Sequence, residues 1–460
     1  MALLGNLTGS AQYFNDDDFY SGTVTQSLRL DSGSSNHLYW TPSASSTSTR
    51  TFTVSTWVKL GNLKTGSDSF IWCGQNVSDT TNCDLNYKTN SGEYYFQIGA
   101  NGQSVKNTSQ LSRDVSAWYH LVAVFDMTQG TDTNRIKLYV NGEQSTISGT
   151  FPSQNTDFDI GGSNKQMIGA LNLGSAGRFF DGYIGEFNFV DGQALTPTSF
   201  GETKNGVWIP KTYRGAYGTN GFRLQFNQVG VGTASTSTIG ADTSGNTNHF
   251  TSSGIVASDC AMPDSPENNF CTWNPLIKAY NTVVFKEGNL WADSTTANWS
   301  GVFSTHSMNA GKWYWEVSEF QNTNVWVGIV VDDTDVDVSV IQSAIGAISY
   351  KASGGDTRTD NTTSSGWGAS YSTTDIIGVA LDLDSGTNTV KFYKNNALQG
   401  TINLTSNFTG KGVLAFVVSN ACDFTANFGQ DSSFAGTKTA QGNTDGNSIG
   451  DFYYAPPSGY

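Results

Sequence analysis

The sequence contains acidic residues of the type that catalyses sugar hydrolysis. Glycosidases need two carboxyl groups beside the scissile bond, about 5–5.5 Å apart in retaining enzymes. A strand places such groups on one face only when they are an even number of residues apart. Glu316 and Glu319 are three residues apart, and Glu186 is alone in its apolar segment. These positions do not form a catalytic pair, so we expect no glycosidase activity.

Other catalytic groups are equally sparse. His37, His120, His249 and His306 are isolated in the sequence. His120 lies in an apolar run, where a hydrogen-bonded core histidine is the simpler interpretation. The acidic stretch from Asp332 to Asp337 is typical of a solvated loop, and neither a GxSxG motif nor a phosphate-binding loop occurs. The sequence therefore predicts a protein that is not an enzyme.

The cysteines argue against a zinc site and leave the redox state open. The chain has Cys73, Cys83, Cys260, Cys271 and Cys422, with no CxxC pair and no histidine close to a cysteine pair. Cys73 with Cys83, or Cys260 with Cys271, could close a disulfide across a loop. An odd, sparse count without a secretory signal favours reduced thiols.

Composition restricts the class of protein. The 460 residues carry a net charge of −15, and only 14% of them are charged. An acidic surface repels phosphate backbones, so we expect no nucleic-acid partner. No window approaches 18 consecutive apolar residues, so we expect no insertion into a membrane. The 51 glycines and 13% aromatic residues are typical of short strands joined by polar turns.

Strand patterns run through the chain, and no amphipathic helix of normal length is evident. In Thr51–Leu60 the residues Phe52, Val54, Val58 and Leu60 share one face. Ile136–Val140 runs into Asn141-Gly142, a strong hairpin signal. Further strands are predicted at 118–125, 183–190, 281–285, 311–320, 325–331, 375–383, 390–394 and 413–418. Many short, punctuated strands predict an all-β fold of antiparallel sandwiches.

Changes in composition divide the chain into five segments. Residues 1–24 form an N-terminal attachment segment, 25–212 a first sandwich and 213–275 an ordered connector with a strand or two. Residues 276–430 form a second sandwich, and 431–460 form a Gly-rich C-terminal tail. Each sandwich has enough length for its own core. We therefore predict two jelly-roll-like antiparallel modules joined by the connector.

The first sandwich resembles the laminin-G-like branch of the concanavalin A-like lectin/glucanase superfamily. The resemblance rests on five stretches in the family's order: Ser27–Leu30, Phe52–Val58, Trp118–Asp126, Ile136–Glu143 and Phe180–Phe187 with Ala194–Thr196 after it. It covers roughly residues 25–200. The likeness implies a lectin-type sandwich and, in this family, often a calcium ion on its rim.

The second sandwich looks like a SPRY domain. The matching stretches are Ser307–Glu316, Val327–Ile329, Asp375–Asp384, Val390–Asn396 and Asn427–Gly429. Asn395-Asn396 replaces the usual Asn-Gly turn, and asparagine tolerates the left-handed backbone that this turn needs. SPRY domains bind proteins through variable loops, so the resemblance assigns no binding residue.

The resemblances leave candidate sites for calcium and for sugar. Asp157, Asp159 and Asp181 could supply oxygen ligands for calcium, as could Asp16–Asp18, but solvated turn carboxylates are the alternative. No other cofactor is expected. Aromatic residues in Gly-rich loops could stack on sugar rings, and the candidates are Trp72, Trp299, Trp367 and Tyr371. Their alternative role is core packing.

A laminin-G-like module followed by a SPRY module is similar to structural proteins of marine tailed phages. This resemblance implies a virion surface or tail-fibre subunit, assembled in the bacterial cytoplasm, that recognises a host-surface glycan. Expected partners are other virion proteins and further copies of the chain, with a trimer as the first guess. The alternatives are a purely structural decoration or adaptor protein and a free lectin.

Overall fold

The computed structural model describes most of the chain. It covers residues 19–460 except positions 21, 64–67, 76–81, 91–92, 101, 109–110, 163, 173–175, 279–282, 295–298, 319, 322, 335–339 and 421–422. Asp16–Asp18, Glu319, Asp335, Asp337 and Cys422 lie outside the described residues, as does most of the predicted attachment segment. No helix among the described residues is long and apolar enough to cross a membrane.

The chain divides into two compact units, and the boundary falls between Asn269 and Phe270. Both units are built from antiparallel sheets, which confirms the predicted all-β sandwich class. The helical elements with defined bounds are 3-10 turns of three residues: Asp132–Asn134, Pro197–Ser199, Ala257–Asp259, Glu287–Asn289, Ile341–Ser343 and Ser406–Phe408.

The first unit has two large sheets. In chain order its strands are β1 (Leu28–Leu30), β2 (His37–Trp40), β3 (Thr51–Leu60), β4 (Asp68–Gln75), β5 (Cys83–Asn90), β6 (Glu93–Ala100), β7 (Gln103–Asn107), β8 (Trp118–Asp126), β9 (Ile136–Val140), β10 (Glu143–Gln144), β11 (Ile147–Gly149), β12 (Lys165–Ile168), β13 (Leu171–Asn172), β14 (Ala176–Gly177), β15 (Gly182–Asp191), β16 (Gly201–Lys204), β17 (Val207–Pro210), β18 (Phe222–Leu224) and β19 (Thr251–Ser253). One sheet has the order β1-β15-β3-β8-β9-β10, with β18 also paired to β15, and the other has the order β11-β7-β6-β5-β4-β12-β2-β19.

The main core of the first unit collects the inward-facing side chains of both sheets. Phe52, Val54 and Val58 of β3 pack there with residues of the facing sheet such as Leu85 and Ile98. The predicted inward face of β3 is therefore correct. Its other face is also buried, because Trp57 belongs to a second apolar cluster on the outer side of the sheet. Strand alternation alone does not reveal this additional layer.

Residues 213–269, predicted as a connector, pack as part of the first unit. Strand β18 pairs with β15, and β19 pairs with β2, so this region extends both large sheets. Two carboxylates after β19 make buried ion pairs. Asp259 accepts hydrogen bonds from Arg29, and Asp264 Oδ2 lies 2.8 Å from Lys59 Nζ.

The segment that follows Asp264 also holds the start of the described chain. The Glu267 carboxylate accepts hydrogen bonds from the backbone N–H groups of Gly22, Thr23 and Val24, at 3.0, 2.7 and 2.8 Å. The side chain of Asn269 accepts a hydrogen bond from Lys59 at 2.8 Å. Polar groups of residues 264–269 therefore tie the N-terminal strand region to the outer side of the sheet.

The second unit is another pair of antiparallel sheets. Its strands are β20 (Trp273–Lys278), β21 (Val283–Lys286), β22 (Trp291–Ser294), β23 (Trp299–Ser304), β24 (Lys312–Ser318), β25 (Val325–Val331), β26 (Ala347–Lys351), β27 (Thr357–Thr359), β28 (Thr362–Ser364), β29 (Ile377–Asp382), β30 (Thr389–Lys394), β31 (Ala397–Asn403), β32 (Val413–Asn420) and β33 (Asp423–Asn427). The sheet orders are β20-β23-β32-β25-β26-β27-β28 and β21-β22-β33-β24-β29-β30-β31.

The second core forms between these sheets. Trp315 and Val317 of β24 pack inward with Ile329, Val379 and Phe392. The turn between β30 and β31 has positive φ at Asn395 and Asn396, at 48° and 67°. Two asparagines therefore adopt the left-handed hairpin turn, as the sequence predicted. Phe320 also packs in this core, just beyond the end of β24.

The four described cysteines are free thiols. Cys73 lies opposite Asp84 and Cys83 lies opposite Gly74 on the paired strands β4 and β5. Cys83 faces the core, whereas Cys73 packs in a cluster on the outer side of the sheet. Their side chains thus leave the sheet on opposite faces, which explains why these neighbours do not pair.

Substituting Asp264 tests how far the first unit depends on its buried ion pairs. Asp264→Asn leaves the Lys59 ammonium buried without its countercharge, and we expect a loss of about 3–5 kcal/mol in the free energy of unfolding. Chemical denaturation followed by tryptophan fluorescence measures this loss.

Asp157→Asn is the matched control, because Asp157 pairs with Arg50 at the surface, where both side chains are about half exposed. We expect this change to cost at most about 1 kcal/mol. Equal effects of the two substitutions would contradict the structural role given to residues 259–269.

Candidate functional site

Two of the aromatic residues predicted to bind sugar are core residues. Trp72 has no exposed surface, and its indole N–H donates a 2.9 Å hydrogen bond to Gln166. Tyr371 is 2% exposed, and its hydroxyl donates a 2.9 Å hydrogen bond to the Tyr350 carbonyl. Neither ring presents a face to a ligand, so the assignment of these two is corrected to core packing.

The other two aromatic candidates are partly exposed. Trp367 packs edge-to-face against Tyr350 and Phe392 and lies directly over Gly400, where a Cβ atom would be 2.4 Å from the ring. Trp299 packs at the border of an apolar cluster on the outer side of its sheet. Both have structural contacts and some free surface, so sugar stacking by either stays a prediction.

The carboxylates predicted for calcium do not assemble into one site. Asp157 is bound by Arg50 at 2.7 and 2.9 Å, and Asp181 accepts a 2.7 Å hydrogen bond from Ser32 N–H. The described residues contain no group of three His, Cys, Asp or Glu side chains that could hold a metal. A calcium ion at Asp157 would have to displace the Arg50 guanidinium, and calcium binding stays a prediction.

The acids weighed for catalysis have structural partners. Glu186 is buried at a bulge of β15, where it forms an ion pair with Arg223. Burial raises the pKa of Glu186, and the arginine opposes that rise. Glu316 accepts backbone hydrogen bonds from Tyr453 and Tyr454 at 2.9 and 2.8 Å. Each carboxylate is thus held within the fold.

The buried contact between Ser55 and His120 is not that of a nucleophile with its general base. His120 Nε2 lies 2.9 Å from Ser55 Oγ, while Trp208 Nε1 lies 3.0 Å from His120 Nδ1. An indole nitrogen only donates, so Nδ1 must accept and Nε2 carries the proton. Nε2 therefore donates to Ser55 and cannot take its proton. Burial lowers the pKa of His120 to about 3, which keeps the ring neutral.

The outer face of the eight-stranded sheet carries a buried acid, Asp84, with incomplete hydrogen bonding. Cys83, Leu85 and Tyr87 of β5 point into the core, so Asp84, Asn86 and Lys88 point outward. Across the sheet, Asp84 lies opposite Gly99 of β6, and Asn86 lies opposite Gln97. This outward face of β5 and β6 is called the Asp84 face below.

Gly99 makes room for the Asp84 carboxylate. A Cβ atom at position 99 would be 2.1 Å from Asp84 Oδ2, so any side chain there would displace the acid. Asp84 Oδ1 accepts hydrogen bonds from Asn86 Nδ2 at 2.5 Å and from Gly99 N–H at 3.2 Å. Among the described residues, Asp84 Oδ2 has only a long, 3.4 Å contact with Asn82 Nδ2. One carboxylate oxygen is therefore poorly satisfied.

The electrostatics of Asp84 reflect this incomplete compensation. Its side chain is 4% exposed, and burial raises the pKa of the carboxyl group to about 6. Among the described residues, no cation lies within ion-pair distance of it, although Lys88 on the same strand lowers the pKa slightly. A buried acid with a strongly perturbed pKa is a recognised marker of a functional site.

Asn86 adds a second unsatisfied acceptor beside the acid. The side chain is 2% exposed, and its Oδ1 atom has no hydrogen-bond partner within the described structure. A buried amide oxygen without a partner costs about 1–3 kcal/mol. The Asp84 face thus contains two buried acceptors, Asp84 Oδ2 and Asn86 Oδ1, that lack strong donors among the described residues.

Charged, aromatic and apolar residues surround Asp84 and Asn86 on this side of the sheet. Lys106 Nζ lies 5.1 Å from the centre of the Tyr95 ring, and Lys88 shares Asp68 with Arg178. Next to the Asp84 face, an apolar cluster of Phe70, Cys73, Met167 and Leu171 covers β4 and β12. Beyond that cluster lies the partly exposed ring of Tyr39, with Lys165 Nζ 5.1 Å from its centre.

Sequence reasoning missed this site, although a signal for it is present. The stretch Cys83–Lys88 alternates apolar residues with Asp84, Asn86 and Lys88, which is the pattern of a strand with one polar face. The sequence does not indicate that this polar face is buried. Only the register between β5 and β6 places Gly99 beside Asp84.

Comparison with known protein families agrees with the two units. Residues 32–199 match the family profile of the concanavalin A-like lectin/glucanases superfamily, laminin-G type. Residues 312–431 match that of the SPRY domain. The chain contains a laminin-G-type concanavalin A-like domain and a SPRY domain. Domains of these two kinds are typically non-catalytic binding modules, so a binding or recognition role is the function that the family matches support.

Solved structures with a similar fold each align with about a third of the chain. The SPRY domain of human HERC1 shares 13% identity, with 35% of this chain and 97% of that chain covered and a TM-score of 0.28. The heptameric SAP-like pentraxin from Limulus polyphemus shares 17% identity, covers 35% and 71%, and has a TM-score of 0.27. The TRIM65 PSpry domain shares 17% identity, covers 34% and 90%, and has a TM-score of 0.28. None of the curated proteins matches the chain in sequence.

The pH dependence of stability distinguishes a functional Asp84 from a structural one. The pKa of Asp84 in the fold is about 6, above its ordinary value of 3.8, so the folded state binds the proton more tightly than the unfolded state. The contribution of Asp84 to stability is therefore present at low pH and is lost as pH rises through 6. We expect Asp84→Asn to raise the melting temperature at pH 8 and to have little effect at pH 4.

Differential scanning calorimetry of the whole chain at both pH values measures this difference. Asp191→Asn is the control, because Asp191 is equally buried but accepts backbone hydrogen bonds from Thr47, Ser48 and Asn220 at 2.7–3.0 Å. The control should lower the melting temperature. A similar loss of stability in Asp84→Asn at pH 8 would give Asp84 a structural role only.

Proposed function

We propose that the chain is a non-catalytic surface subunit of a virion that recognises a glycan on the host cell through the Asp84 face. The observation that carries the glycan part is the pair of poorly satisfied acceptors, Asp84 Oδ2 and Asn86 Oδ1, on the outer face of a lectin-type sheet. A sugar presents adjacent hydroxyl groups, and two of them can donate to these two oxygens once the side chains that cover them move aside, because Asp84 and Asn86 are only 4% and 2% exposed in the free chain. A hydrogen bond to an ionised carboxylate contributes about 1.5–3 kcal/mol.

The electrostatics of the Asp84 face support recognition without hydrolysis. Retaining hydrolysis needs a second carboxyl group about 5–5.5 Å from the first. The strand positions flanking Asp84 on its own face are occupied by Cys73, Gly99 and Asn86, none of which is acidic. Asp84 can therefore accept hydrogen bonds from a sugar, and none of these three flanking positions supplies a second carboxyl group.

The virion part of the proposal rests on the module order. A laminin-G-like module followed by a SPRY module is similar to structural proteins of marine tailed phages, which are assembled in the bacterial cytoplasm. A single acidic site of this size binds weakly, so an attachment protein gains from several copies on one particle. We accordingly propose a homo-oligomer, with a trimer as the first guess, surrounded by other virion proteins. A decoration or adaptor role without a host ligand is the rival proposal.

Glycan binding is tested with Asp84→Asn and Asn86→Ala. We expect the wild-type chain to bind fragments of host surface polysaccharide in isothermal titration calorimetry, and each variant to bind at least about tenfold more weakly, which corresponds to one lost hydrogen bond of about 1.4 kcal/mol. Asp157→Asn, an exposed acid away from this face, should bind as the wild type does. Equal binding by all four proteins would remove the Asp84 face from recognition.

Absence of hydrolysis is tested on the same fragments. Prolonged incubation with the wild-type chain should release no reducing sugar. Release that disappears in Glu186→Gln or Glu316→Gln would show a catalytic role for that acid and overturn the non-enzymatic proposal. Mass spectrometry of purified particles tests the virion assignment, since absence of the chain from them would contradict it.

A further inference from the structure

The last residues of the chain form a compact hook. Residues 443–460 are called the C-terminal arm. Asn443 and Phe452 exchange two backbone hydrogen bonds, at 2.7 and 3.0 Å, and Gly446 N–H donates a 2.9 Å hydrogen bond to the Tyr460 carbonyl. The side chain of Asn443 also donates to the Tyr453 carbonyl at 2.8 Å. These bonds lie within the arm and give it its own shape.

The arm is held by polar groups at the end of the second sandwich, which we call the arm seat. Glu316 of β24 accepts hydrogen bonds from the consecutive N–H groups of Tyr453 and Tyr454, at 2.9 and 2.8 Å. Asn427 Nδ2 donates to the Asp451 carbonyl at 2.8 Å, and Asp451 N–H donates to the Gly429 carbonyl at 2.7 Å. The seat therefore binds the backbone of residues 451–454 through hydrogen bonds.

An apolar contact adds specificity to the seat. The Phe452 ring is 4% exposed and packs edge-to-face on Tyr314, with 5.2 Å between ring centres. Gly429 has φ +110°, and a Cβ atom there would be 3.0 Å from the Phe452 ring. A glycine is required at this position both by the backbone and by the close approach of the ring.

The seat shields Glu316 from water, and no cation forms an ion pair with this acid among the described residues. Glu316 has no exposed surface, and its other hydrogen bonds come from Tyr314 and Asn427, each at 3.2 Å. Burial raises the pKa of Glu316 to about 7, while the arm's N–H groups oppose the rise. An empty seat would leave this carboxylate without two of its four donors. The arm and the seat are complementary, and each lacks partners without the other.

The segment that joins the arm to the sandwich is exposed but hydrogen-bonded at its base. Residues 436–442 are mostly exposed, and backbone N–H groups at 436–438, 441 and 442 donate to Ser432, Ser433 and Phe434. Gly436 and Gly442 have φ of 78° and 67°, so both ends of the segment use left-handed backbone. Seven extended residues reach about 23–25 Å. The C-terminal arm is thus joined to the second sandwich by a short, exposed segment.

We propose that the C-terminal arm is exchanged between copies of the chain, so that the arm of one copy occupies the seat of another. The contacts between arm and seat are the same whether they belong to one copy or to two, so exchange costs the entropy of association and the rearrangement of the joining segment. That cost falls when copies are concentrated on one particle. The occupant is a second copy because the seat is fitted to this chain's own Phe452 and to the N–H groups that follow it. The exchange is independent of the Asp84 face.

Complementation between two defective full-length chains tests the exchange. Phe452→Ala damages the arm and leaves the seat intact, whereas Glu316→Gln damages the seat and leaves the arm intact. Neither variant alone contains a matching pair, but a mixture does. We expect each variant alone to be monomeric in size-exclusion chromatography with light scattering, and the mixture to form a complex of twice the mass of one chain. The double variant mixed with Phe452→Ala should form none.

A synthetic peptide of residues 443–460 gives a second test that does not depend on the Glu316 variant folding. Fluorescence anisotropy should show that it binds the full-length Phe452→Ala chain, whose seat is intact, at least tenfold more tightly than a peptide carrying the same Phe452→Ala change. Failure of the mixture to associate, together with equal anisotropy for the two peptides, would overturn arm exchange and leave the arm as an intramolecular closure.

Discussion

Burial of charge on the outer side of the first sandwich is the constraint on which most of that unit depends. The strands β1, β3 and β15 carry Arg29, Lys59 and Glu186, all essentially inaccessible to solvent. A charge in such a position is tolerable only with a countercharge. Asp259, Asp264 and Arg223 supply the countercharges, and all three come from the region after β17. That region therefore has to lie across the outer side of the sheet. Its Glu267 carboxylate also accepts a hydrogen bond from the Thr23 N–H group.

Against this background, the Asp84 face is the part of the sandwich to which the proposed function assigns a role. Arg29, Lys59 and Glu186 are each compensated by an opposite charge, whereas Asp84 Oδ2 has a single long contact among the described residues. Gly99 is required for the acid to lie where it does. Selection for stability alone would favour a neutral residue at this position, because the ionised carboxylate destabilises the fold above pH 6. Ligand recognition gives a reason for keeping it.

The sequence predicted the fold far better than the site. Strand alternation located β3, β9 and β25 to the residue, because inward-facing apolar side chains repeat every second position. Alternation could not show that the outer faces were buried, since Lys59 looks solvent-facing by residue type although it is fully buried. For the same reason Trp72 and Tyr371 looked available to a ligand, although both fill cores. The Asp84 face and the arm seat depend on partners distant in sequence, Gly99 with Asp84 and Glu316 with Tyr453, which only strand register and chain path bring together.

Titration of the Asp84 carboxyl group by carbon-13 NMR, with and without fragments of host surface polysaccharide, tests the central claim most directly. In the free chain the pKa should be about 6, because burial disfavours the charged form. Sugar hydroxyls that donate to Asp84 Oδ2 would stabilise the carboxylate, so the bound chain should show a pKa lowered by about one unit for each tenfold gain in affinity between low and neutral pH. A pKa that is the same with and without the polysaccharide would contradict recognition through Asp84.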